Sequence, residues 1–446
     1  MSPKSFIRSI TPDVILSAYH LTLAFCAALW YRFPSERMIV VGVTGTKGKS
    51  STIFMLAKIL EGAGHKVAVA SSLMFKIGEH EWLNPHHMTM AGRFRLQQFL
   101  AQAAAAGCTH ALIETTSEGI KQHRHRFINF DGAVCTNLSP EHIEAHGGFE
   151  NYKRAKGELF RVLMRGARKT FKGTAQEKIM ICNTDDEHAE YFLSFPADKK
   201  YAYSARGSCA GAPTGVLCLA AAAAADAAGT QFTVDKTVFR LKLPGAFNVA
   251  NALCAVVVAQ SLGVSLAIAK DALAQIEEIP GRFQFIRVGQ KFTAIIDLAH
   301  TPPSFTEVLS LAKTLRPDDH GRLIAMFGSA GGGRDAWKRP ELGRIAAQHA
   351  NYIVLTNEDP YDEKPEDILD AIQRGVTEAG FSGVLEVIAN RRLAIRRAVN
   401  VARYNDVVVF LGKGTEQTMV TGGVSSPWNE EEVVIAEIRS MLYDRQ

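Results

Sequence analysis

The stretch VGVTGTKGKSST, residues 41–52, continues an apolar segment and contains a glycine-rich turn that ends in Gly-Lys-Ser. Such a loop offers backbone N–H groups, one lysine and one hydroxyl, which suit the phosphates and the Mg²⁺ of a nucleoside triphosphate. The common pattern of this loop, G-x-x-x-x-G-K-[ST], would place glycine at Val43. The glycines here are Gly42, Gly45 and Gly48 instead. The loop is therefore either an accidental match or the signature of a subfamily.

The composition is that of a multidomain globular protein. A chain of 446 residues exceeds one ordinary core, so we expect two or three domains. The formal net charge of +5 is spread along the chain without Lys/Arg runs, which argues against a nucleic-acid partner. The seven cysteines include no C-x-x-C pair. We expect small buried thiols in a reducing compartment, and neither a disulfide framework nor a zinc site.

Residues 1–37 form a separate, mostly apolar segment, which we expect to be helical. Lys4 and Arg8 precede residues 14–31, which are nearly free of charge and approach the length of a bilayer span. Because polar residues such as His20 dilute this stretch, we favour a helix that packs on the protein or lies on a membrane surface over one that crosses the bilayer. A signal-peptide cleavage site is not evident. We expect a cytoplasmic protein, with peripheral membrane contact through this segment left open.

From Met38 onward, apolar strands alternate with amphipathic helices. This alternation predicts an α/β fold, with a central P-loop ATPase domain over 38–279 built on a mainly parallel, doubly wound sheet. After a turn near residues 277–285 a new alternation begins, which predicts a Rossmann-like α/β domain over 280–446. Functional groups are expected at the carboxyl ends of the strands. The alanine-rich stretch 219–228 is not assigned to an element.

Seven further motifs follow the loop in a fixed order. They are ALIETTSEG (111–119), CTNLSPEHIEAHGGFENYKRAKGELF (135–160), GAFNVAN (245–251), PGRFQF (280–285), DLAHTP (297–302), GGGRDAWKRPELG (331–343) and LGKGTEQ (411–417). From about residue 38 to the C-terminus, this set resembles the Mur ligase family, most closely its UDP-N-acetylmuramoyl-tripeptide synthetase branch. The phosphate loop of that family, T-G-T-[NK]-G-K-[ST], matches Thr44 to Ser50 and accounts for the displaced glycines.

The resemblance implies an enzyme that joins an amino acid to a carboxylate with ATP. A carboxylate is a poor electrophile, so the family forms an acyl phosphate, which an amine attacks to give an amide, ADP and phosphate. The substrates would be ATP, an amino acid and a muramoyl-peptide-like acceptor of peptidoglycan synthesis. Because phosphoryl transfer to an anion requires masked negative charge, cations rather than a covalent nucleophile are expected in the site.

The resemblance also implies catalytic and metal-binding residues. Lys49 would hold the β- and γ-phosphates, and Ser50 one Mg²⁺. Glu114 and His142 would hold a second Mg²⁺ that bridges the γ-phosphate and the acceptor carboxylate, with the carboxylate as the more usual ligand. Lys156, in the family pattern Y-x-x-A-K, would be carbamylated and would help to fix the second ion.

Without these motifs, Lys153 and Lys156 would be read as two surface lysines, because residues three apart share one helix face.

Other residues are assigned by the resemblance to the nucleotide. The phosphate loop would comprise Thr44, Gly45, Thr46, Lys47, Gly48, Lys49, Ser50 and Ser51. Asn248 and Asn251 would contact the adenine, although an asparagine at a helix start can also act as a cap. Arg282 would reach the phosphates near the domain hinge, with an interdomain salt bridge as the alternative. Asp297 and His300 match the family's D-Y-A-H-[TNS]-P, where a structural histidine is the alternative.

Substrate binding is assigned to residues from both domains. These are Thr89 and Ser117 on the acceptor side, and Arg334, Asn357, Asp359, Tyr361, Gly412 and Glu416 on the amino-acid side. Arg334, Asp335, Lys338 and Arg339 match G-D-R-D-x-x-K-R-P, for which a solvated charge cluster is the alternative.

Three departures from the family concern the acceptor and the amino acid. The usual N-terminal domain that holds UDP is expected to be missing, with about 38 mostly apolar residues in its place. Glu118 stands where the family has His, and MTMAGRF (88–94) where it has T-T-P. The stretch TNEDPYDE (356–363) lacks the arginine of the D-N-P-R motif that selects diaminopimelate, so an amino acid with a distal amine, such as lysine or ornithine, is expected.

Alternative functions remain open at this level. A cyanophycin-type or lipid-linked precursor ligase fits the expected loss of the UDP domain. A folylpolyglutamate-synthetase-like enzyme shares the phosphate loop and the modified lysine. A non-catalytic nucleotide-binding partner is disfavoured, because the residues expected to act on ATP are retained. We expect a monomer.

Overall fold

The computed structural model describes residues 12–84, 89–171, 173–209, 215–226, 229–316 and 320–444. The basic residues Lys4 and Arg8 lie outside these ranges. The helices are α1 (Asp13–Trp30), α2 (Lys49–Gly62), α3 (Arg93–Ala105), α4 (Ser117–Lys121), α5 (Ile143–His146), α6 (Phe149–Leu163), α7 (Ala189–Leu193), α8 (Ala246–Ser261), α9 (Leu266–Ala274), α10 (Pro302–Thr314), α11 (Lys338–His349), α12 (Pro365–Glu378), α13 (Arg391–Val401) and α14 (Glu430–Asp444). A 3-10 helix covers Pro34–Arg37.

The strands fall into a large and a smaller main sheet, with minor sheets between and beside them. Those before residue 245 are β1 (Ile39–Thr44), β2 (Val67–Ala70), β3 (Met74–Ile77), β4 (His80–Leu83), β5 (His110–Glu114), β6 (Gly132–Cys135), β7 (Thr170–Phe171), β8 (Thr174–Ala175), β9 (Ile179–Asn183), β10 (Lys199–Ser204), β11 (Leu217–Ala220), β12 (Ala222–Asp226), β13 (Gly229–Val234) and β14 (Thr237–Leu241). Those after it are β15 (Gln284–Ile286), β16 (Thr293–Asp297), β17 (Leu323–Phe327), β18 (Tyr352–Leu355), β19 (Val384–Val387), β20 (Val407–Leu411), β21 (Thr418–Thr421) and β22 (Val424–Pro427).

The first main sheet has the order β11-β10-β9-β6-β1-β5-β2-β3-β4 and is parallel except at β2–β3 and β3–β4. Its central strands are apolar runs buried on both faces, as expected of strands covered by helices on each side. Helices α2, α8 and α9 pack on one face, and α3 and α6 on the other. Strand β1 lies between β5 and β6, so the chain changes direction there and a ligand site is expected at its carboxyl end.

The second main sheet has the order β15-β16-β20-β17-β18-β19, with only β15 antiparallel. Helices α10, α11 and α12 cover one face, and α13 and α14 the other. The predicted α/β class with two sheet-based parts is confirmed. The predicted limits of 38–279 and 280–446 stay a prediction. The unassigned alanine-rich stretch lies largely in β11 and β12 within the described residues, and β12 joins β13 and β14 in a small antiparallel sheet.

Helix α1 packs on the body of the protein near α3, and its outward side is apolar. Val14, Ile15, Phe25, Leu29 and Trp30 are all exposed. Within the described ranges, no helix combines the length and the hydropathy that a membrane crossing requires.

The expectation that the chain forms no disulfide was wrong for one pair. Cys209 and Cys218 are bonded, with their Cα atoms 6.2 Å apart. Cys209 follows β10 and Cys218 lies in the neighbouring parallel strand β11, so the sheet brings together cysteines that have no C-x-x-C spacing. The other cysteines are unpaired, and all but the exposed Cys26 are buried as expected: Cys108, Cys135, Cys182 and Cys254.

Candidate active site

The phosphate loop lies between β1 and α2, at the carboxyl end of the first sheet. Gly45 and Gly48 have φ angles of 144° and 77°, a region that side chains disfavour. A Cβ on Gly45 would lie 2.0 Å from Thr136 Oγ1, and one on Gly48 would lie 2.2 Å from Asn251 Oδ1. The glycine spacing of this loop therefore follows from its backbone path and from its close neighbours.

Residues after β6 hold the loop in place. The backbone N–H groups of Thr46 and Lys47 donate to the backbone and side-chain oxygens of Asn137, each at 2.9 Å. Thr136 Oγ1 donates to the Lys47 carbonyl at 2.6 Å. Thr44 and Ser51 are buried inside the loop. The loop is thus fixed before any ligand binds.

Glu114 at the end of β5 lies beside the loop lysine and hydroxyl. Its Oε2 accepts hydrogen bonds from Ser50 Oγ at 2.9 Å and from the Ser72 backbone N–H at 2.8 Å. Its Oε1 is 3.9 Å from Lys49 Nζ, which also donates to the Thr46 carbonyl at 2.8 Å. A buried carboxylate beside a hydroxyl fits the oxygen ligands that Mg²⁺ prefers. Ser72, which orients Glu114, was missed in the sequence because no motif marks it.

Lys156 on α6 is buried, whereas Lys153 is half-buried and pairs with the exposed Glu150. Lys156 Nζ donates to the Gly45 carbonyl at 2.7 Å and lies 4.5 Å from the centre of the Tyr152 ring. Burial, reinforced by the charge of Lys49, lowers the pKa of Lys156 to about 7. A large share of this amine is therefore neutral and nucleophilic near neutral pH.

His142 precedes α5 and is held by a residue of the second part of the chain. Its backbone N–H donates to Asp335 Oδ2 at 2.6 Å, and the Glu144 N–H donates to Asp335 Oδ1 at 3.3 Å. Burial lowers the pKa of the His142 imidazole and favours its neutral form. Asp335 thus ties the motif that carries His142 to the start of α11.

Glu141 and His300 form a second link between the two main sheets. His300 Nε2 lies 3.2 Å from Glu141 Oε1, and its Nδ1 lies 2.8 Å from the Leu298 carbonyl. Both ring nitrogens of His300 thus face oxygen acceptors. Burial opposes the charge of Glu141, but the His300 hydrogen bond and the nearby charge of Lys49 hold its pKa well below the usual range. Glu141 was missed in the sequence.

Arg282 also reaches the loop, with Nη2 3.4 Å from Ser50 Oγ. Asp297 at the end of β16 is buried and accepts backbone hydrogen bonds from Phe283 at 2.7 Å and Ala299 at 2.6 Å. Burial raises the pKa of Asp297, although the Arg282 charge opposes the shift. Asp297 therefore shapes the turn that carries Arg282.

The remaining nucleotide-side candidates occupy the same region. Lys47 Nζ is buried without a hydrogen-bond partner in the described part of the chain, and burial lowers the pKa of Lys47 to about 8. Asn251 touches the loop at Gly48. Asn248 Nδ2 donates to the Pro244 carbonyl at 2.8 Å, a local bond at the start of α8.

The predicted amino-acid residues surround a buried lysine, Lys413, which the sequence motifs did not single out. Lys413 Nζ lies 2.9 Å from Asp359 and 2.7 Å from Glu416. Tyr361 has a φ of 54°, and its hydroxyl lies 3.2 Å from Arg334 Nη2. Asp359 and Glu416 thus share one cation, Lys413.

Among the acidic side chains near Lys413, Glu358 has a carboxylate oxygen without a hydrogen-bond partner in the described residues. This oxygen is the buried Oε2, and burial raises the pKa of Glu358 against the charge of Lys338. A Cβ on Gly412 would lie 2.5 Å from this oxygen, so only glycine fits beside the carboxylate. Asn357 is anchored by its carbonyl, which accepts from Arg391 at 3.1 Å.

The acceptor-side candidates lie near the other end of the site. Ser117 is buried at the start of α4, whereas Thr89 is half-buried just before α3. Glu118 accepts a hydrogen bond from Gln122 at 3.0 Å. Burial lowers the pKa of His146, and the charge of Glu118 opposes the shift. The His146 ring lies 5.5 Å from that of Tyr152 on α6, so the acceptor side adjoins the helix that carries Lys156.

A phosphate loop, a buried carboxylate at its hydroxyl and a second α/β sheet that reaches over the loop define an ATP-dependent ligase. Residues 43–259 match the Mur ligase middle domain, and residues 281–414 match the Mur ligase, glutamate ligase domain. The UDP-N-acetylmuramyl-tripeptide synthetase of Roseiflexus sp. (strain RS-1) is 37% identical over 444 residues, covering 95% of this chain and 83% of that protein.

Two solved structures resemble the chain. A UDP-N-acetylmuramoyl-L-alanyl-D-glutamate–2,6-diaminopimelate ligase is 30% identical with a TM-score of 0.58, over 92% of this chain and 79% of that one. The folylpolyglutamate synthase of Mycobacterium tuberculosis, at 17% identity and a TM-score of 0.66, covers 96% of both chains and shares the fold. The chain belongs to the Mur ligase family. It is an ATP-dependent amide ligase of the Mur type, in a family that works in peptidoglycan synthesis with ATP and Mg²⁺.

Proposed function

We propose that this ligase adds an amino acid with a distal amine, such as lysine, to the peptide carboxylate of a muramoyl-peptide precursor. The observation that carries the proposal is the buried amine of Lys156 beside Gly45 and Lys49, next to the Glu114–Ser50 pair. These groups surround the place where a γ-phosphate would meet an acceptor carboxylate.

The proposed reaction has two steps. A carboxylate oxygen of the acceptor attacks the γ-phosphorus of ATP, and ADP leaves to give an acyl phosphate. The amine then attacks the acyl carbon, loses a proton and expels phosphate. Lys49 and Arg282 would offset negative charge on the phosphates, and the fixed N–H groups of the loop would orient them. Mg²⁺, when bound, would supply further charge neutralisation at the phosphate oxygens.

For the metals, Ser50 and Glu114 would hold one ion, and Glu114, His142 and Lys156 would be near the second. Unmodified Lys156 cannot ligate well when protonated. We propose that its amine, with a pKa lowered by burial to about 7, reacts with CO₂ to form a carbamate. The carbamate would replace a cation beside Lys49 with an anion, which removes the repulsion between the two lysines.

The amino-acid preference rests on Tyr361 and Glu358. Tyr361 stands where an arginine would clamp a distal carboxylate, and it contacts Arg334. Asp359 and Glu416 already pair with Lys413. We therefore assign the distal ammonium to the buried Glu358 carboxylate, whose Oε2 has no hydrogen-bond partner among the described residues.

A second proposal concerns α1. The apolar outward side of this helix suits a membrane surface, where aromatic residues such as Trp30 favour the interface. A lipid-linked acceptor would then be within reach, and this is the alternative acceptor that we retain.

The deciding experiment is a matrix of acceptors against amino acids, read by phosphate release and product mass. The acceptors are UDP-muramoyl dipeptide, lipid-linked muramoyl peptide and folate, and the amino acids are lysine, ornithine, diaminopimelate and glutamate. We expect phosphate release that requires a muramoyl acceptor together with lysine or ornithine, and its loss in Lys49→Ala. Release with folate and glutamate alone, or with no pair, would overturn the proposal.

A further inference from the structure

Lys47 has a firmly held backbone and a buried ammonium group. Thr136 Oγ1 donates to the Lys47 carbonyl at 2.6 Å, and Asn137 Nδ2 donates to the same oxygen at 3.1 Å. The Nζ atom, in contrast, is buried and makes no hydrogen bond within the described residues. Buried charges in proteins are normally paired, so the surroundings of this ammonium group are expected to offer an anion.

Three carboxylates act on the Lys47 ammonium group, and Glu307 has the largest effect. Burial lowers the pKa of Lys47 to about 8, and the charges of Glu307, Glu141 and Asp297 oppose the shift in that order. Glu141 already pairs with His300, and Asp297 accepts two backbone hydrogen bonds.

Glu307, on α10, has no such commitment. Desolvation by neighbouring protein groups raises the pKa of Glu307, although part of the side chain is exposed. Lys47 is the one cation in the described chain that opposes this shift. Glu307 is therefore the carboxylate that is free to pair with Lys47.

Helix α10 turns Glu307 toward the phosphate loop. Leu311 lies one turn after Glu307 on the same face of the helix, and a Cβ on Gly245 would lie 2.9 Å from Leu311 Cδ2. Gly245 directly precedes α8, whose Asn251 touches Gly48 of the loop. The face of α10 that carries Glu307 thus adjoins the start of α8, across the place assigned to the nucleotide.

A phosphate of the nucleotide is the alternative partner for Lys47, but the surrounding charges disfavour it. Three carboxylates make the Lys47 side of the loop acidic, whereas Lys49 and Arg282 lie on the Ser50 side. A phosphate would be repelled by the carboxylates and attracted by Lys49 and Arg282. Lys47 is then left for a carboxylate of the protein.

We propose that Lys47 and Glu307 form an ion pair across the nucleotide cleft and hold the two main sheets closed over a bound nucleotide. Lys47 lies in the loop after β1 and Glu307 on α10 beside the second sheet, so their pairing connects the two sheets directly. Closure brings the ammonium group an anion and delays the departure of the nucleotide. Both are positioning residues. The pair goes beyond the proposed function, because it does not depend on which acceptor or amino acid the enzyme uses.

The rate of nucleotide release tests the pair without an acceptor or an amino acid. A fluorescent ADP analogue is bound with Mg²⁺ to the full chain, and its displacement by excess ATP is followed by stopped flow. The variants are Lys47→Asn, Glu307→Gln and the double variant, with asparagine chosen because the family pattern of the loop also allows it. The control is Glu366→Gln, which removes an exposed carboxylate at the start of α12. Thermal unfolding verifies that every variant folds.

We expect each single substitution to speed release about threefold or more, as for loss of an ion pair at a partly exposed site, and the control to match the wild type. The double variant should be no faster than the faster single variant, because both substitutions break the same pair. Multiplied effects in the double variant would overturn the inference. Wild-type release in Glu307→Gln would also overturn it, and faster release in Lys47→Asn alone would assign Lys47 to a phosphate.

Two features keep this test decisive. Because Glu307 is partly exposed, Glu307→Gln can be judged against the wild type even if Lys47→Asn is unstable. Failure of every acceptor and amino acid to release phosphate would contradict the proposed function and leave the measured release of ADP unaffected.

Discussion

At the scale of single residues, burial decides the chemistry of Lys156. Lys153, one turn earlier on α6, instead pairs with the exposed Glu150. Under the phosphate loop, water is excluded and Lys49 adds repulsion, so the proton is held weakly. The sequence could not separate these two lysines by spacing, because both lie within one turn of helix. Only the family motif distinguished them, and the structure gives the physical reason.

The proposed carbamate on Lys156 can be tested by removing the lysine and supplying a small carboxylic acid in its place. Lys156→Ala should lower kcat by about 10² to 10³, as for loss of one group that orients developing charge. Short carboxylic acids such as acetate should partly restore activity by filling the space that the carbamate leaves. Lys153→Ala is the matched control and should remain active. A variant as active as the wild type, or one that acetate cannot rescue, would argue against a carbamate.

The pH dependence of the modification follows from the lowered pKa. Because only the neutral amine reacts with CO₂, incorporation of ¹³C-bicarbonate should rise as pH increases through about 7. An exposed lysine would require pH values near 10 for the same neutral fraction. A carbamate signal in ¹³C NMR that is absent from Lys156→Ala and rises near pH 7 is the expected result. A midpoint near pH 10 would show that the amine is not perturbed.

Amino-acid selection is the second question at residue scale. Tyr361→Arg should raise kcat/KM for diaminopimelate relative to lysine, about tenfold or more, by offering a bidentate clamp to the distal carboxylate. Glu358→Gln should reduce lysine use without helping diaminopimelate. Gln373→Arg, on the outer part of α12, serves as a control for added charge. An unchanged ratio in Tyr361→Arg would refute the assignment of this position.

At the scale of elements, sequence periodicity predicted those that build the core. Strand β1, helix α2 and strand β5 are long apolar or amphipathic runs bounded by glycine or polar residues, so their pattern is unambiguous. The β3–β4 hairpin, the β12–β14 sheet and the disulfide between Cys209 and the β11 residue Cys218 were not predicted. The strands involved are short, and the strands next to them decide their pairing. The amino-acid composition of such a short strand does not predict its partner.

The proposed membrane contact of helix α1 can be tested by substitutions on its outward side. Replacing Val14, Leu29 and Trp30 together with Ser removes apolar side chains that are each more than half exposed, so the fold should persist. We expect the wild type to float with anionic vesicles and the triple variant to remain in the dense fraction, with equal Tm values. Val424→Ser, an exposed apolar residue on β22, is the control and should float like the wild type. Equal flotation of wild type and triple variant would exclude membrane contact by this helix surface.

At the scale of the whole molecule, three contacts connect the two main sheets across the candidate site: Arg282 with Ser50, His300 with Glu141, and Asp335 with the His142 backbone. The two residues of each contact belong to separate motifs that are more than 150 positions apart in the chain. No local sequence pattern predicts that they lie close together. The motif order of the family supplied most of the candidates, but Glu141 and Lys413 needed the three-dimensional arrangement. The expected monomer and the domain limits stay predictions.

The Asp335 link predicts a defect in turnover rather than in folding. Asp335→Ala removes an acceptor from two backbone N–H groups across the sheets, so kcat should fall about tenfold while the Kd of ATP changes little. Glu386→Ala, which removes contacts with Arg397 and Tyr352 at the edge strand β19, is the control. A Tm loss in Asp335→Ala that fully accounts for the lower activity would assign this residue a purely structural role.

The Arg282 contact with the loop hydroxyl also has a consequence for the timing of the catalytic cycle. Because Arg282, which directly precedes β15, lies 3.4 Å from Ser50 Oγ, we expect spent nucleotide to leave only after the two main sheets move apart. Each turnover then includes one opening and one closing of the two main sheets, and the slower of these motions sets an upper limit on kcat. Raising the solvent viscosity should therefore lower kcat in the steady state. The rate of acyl-phosphate formation in a single-turnover experiment should not change.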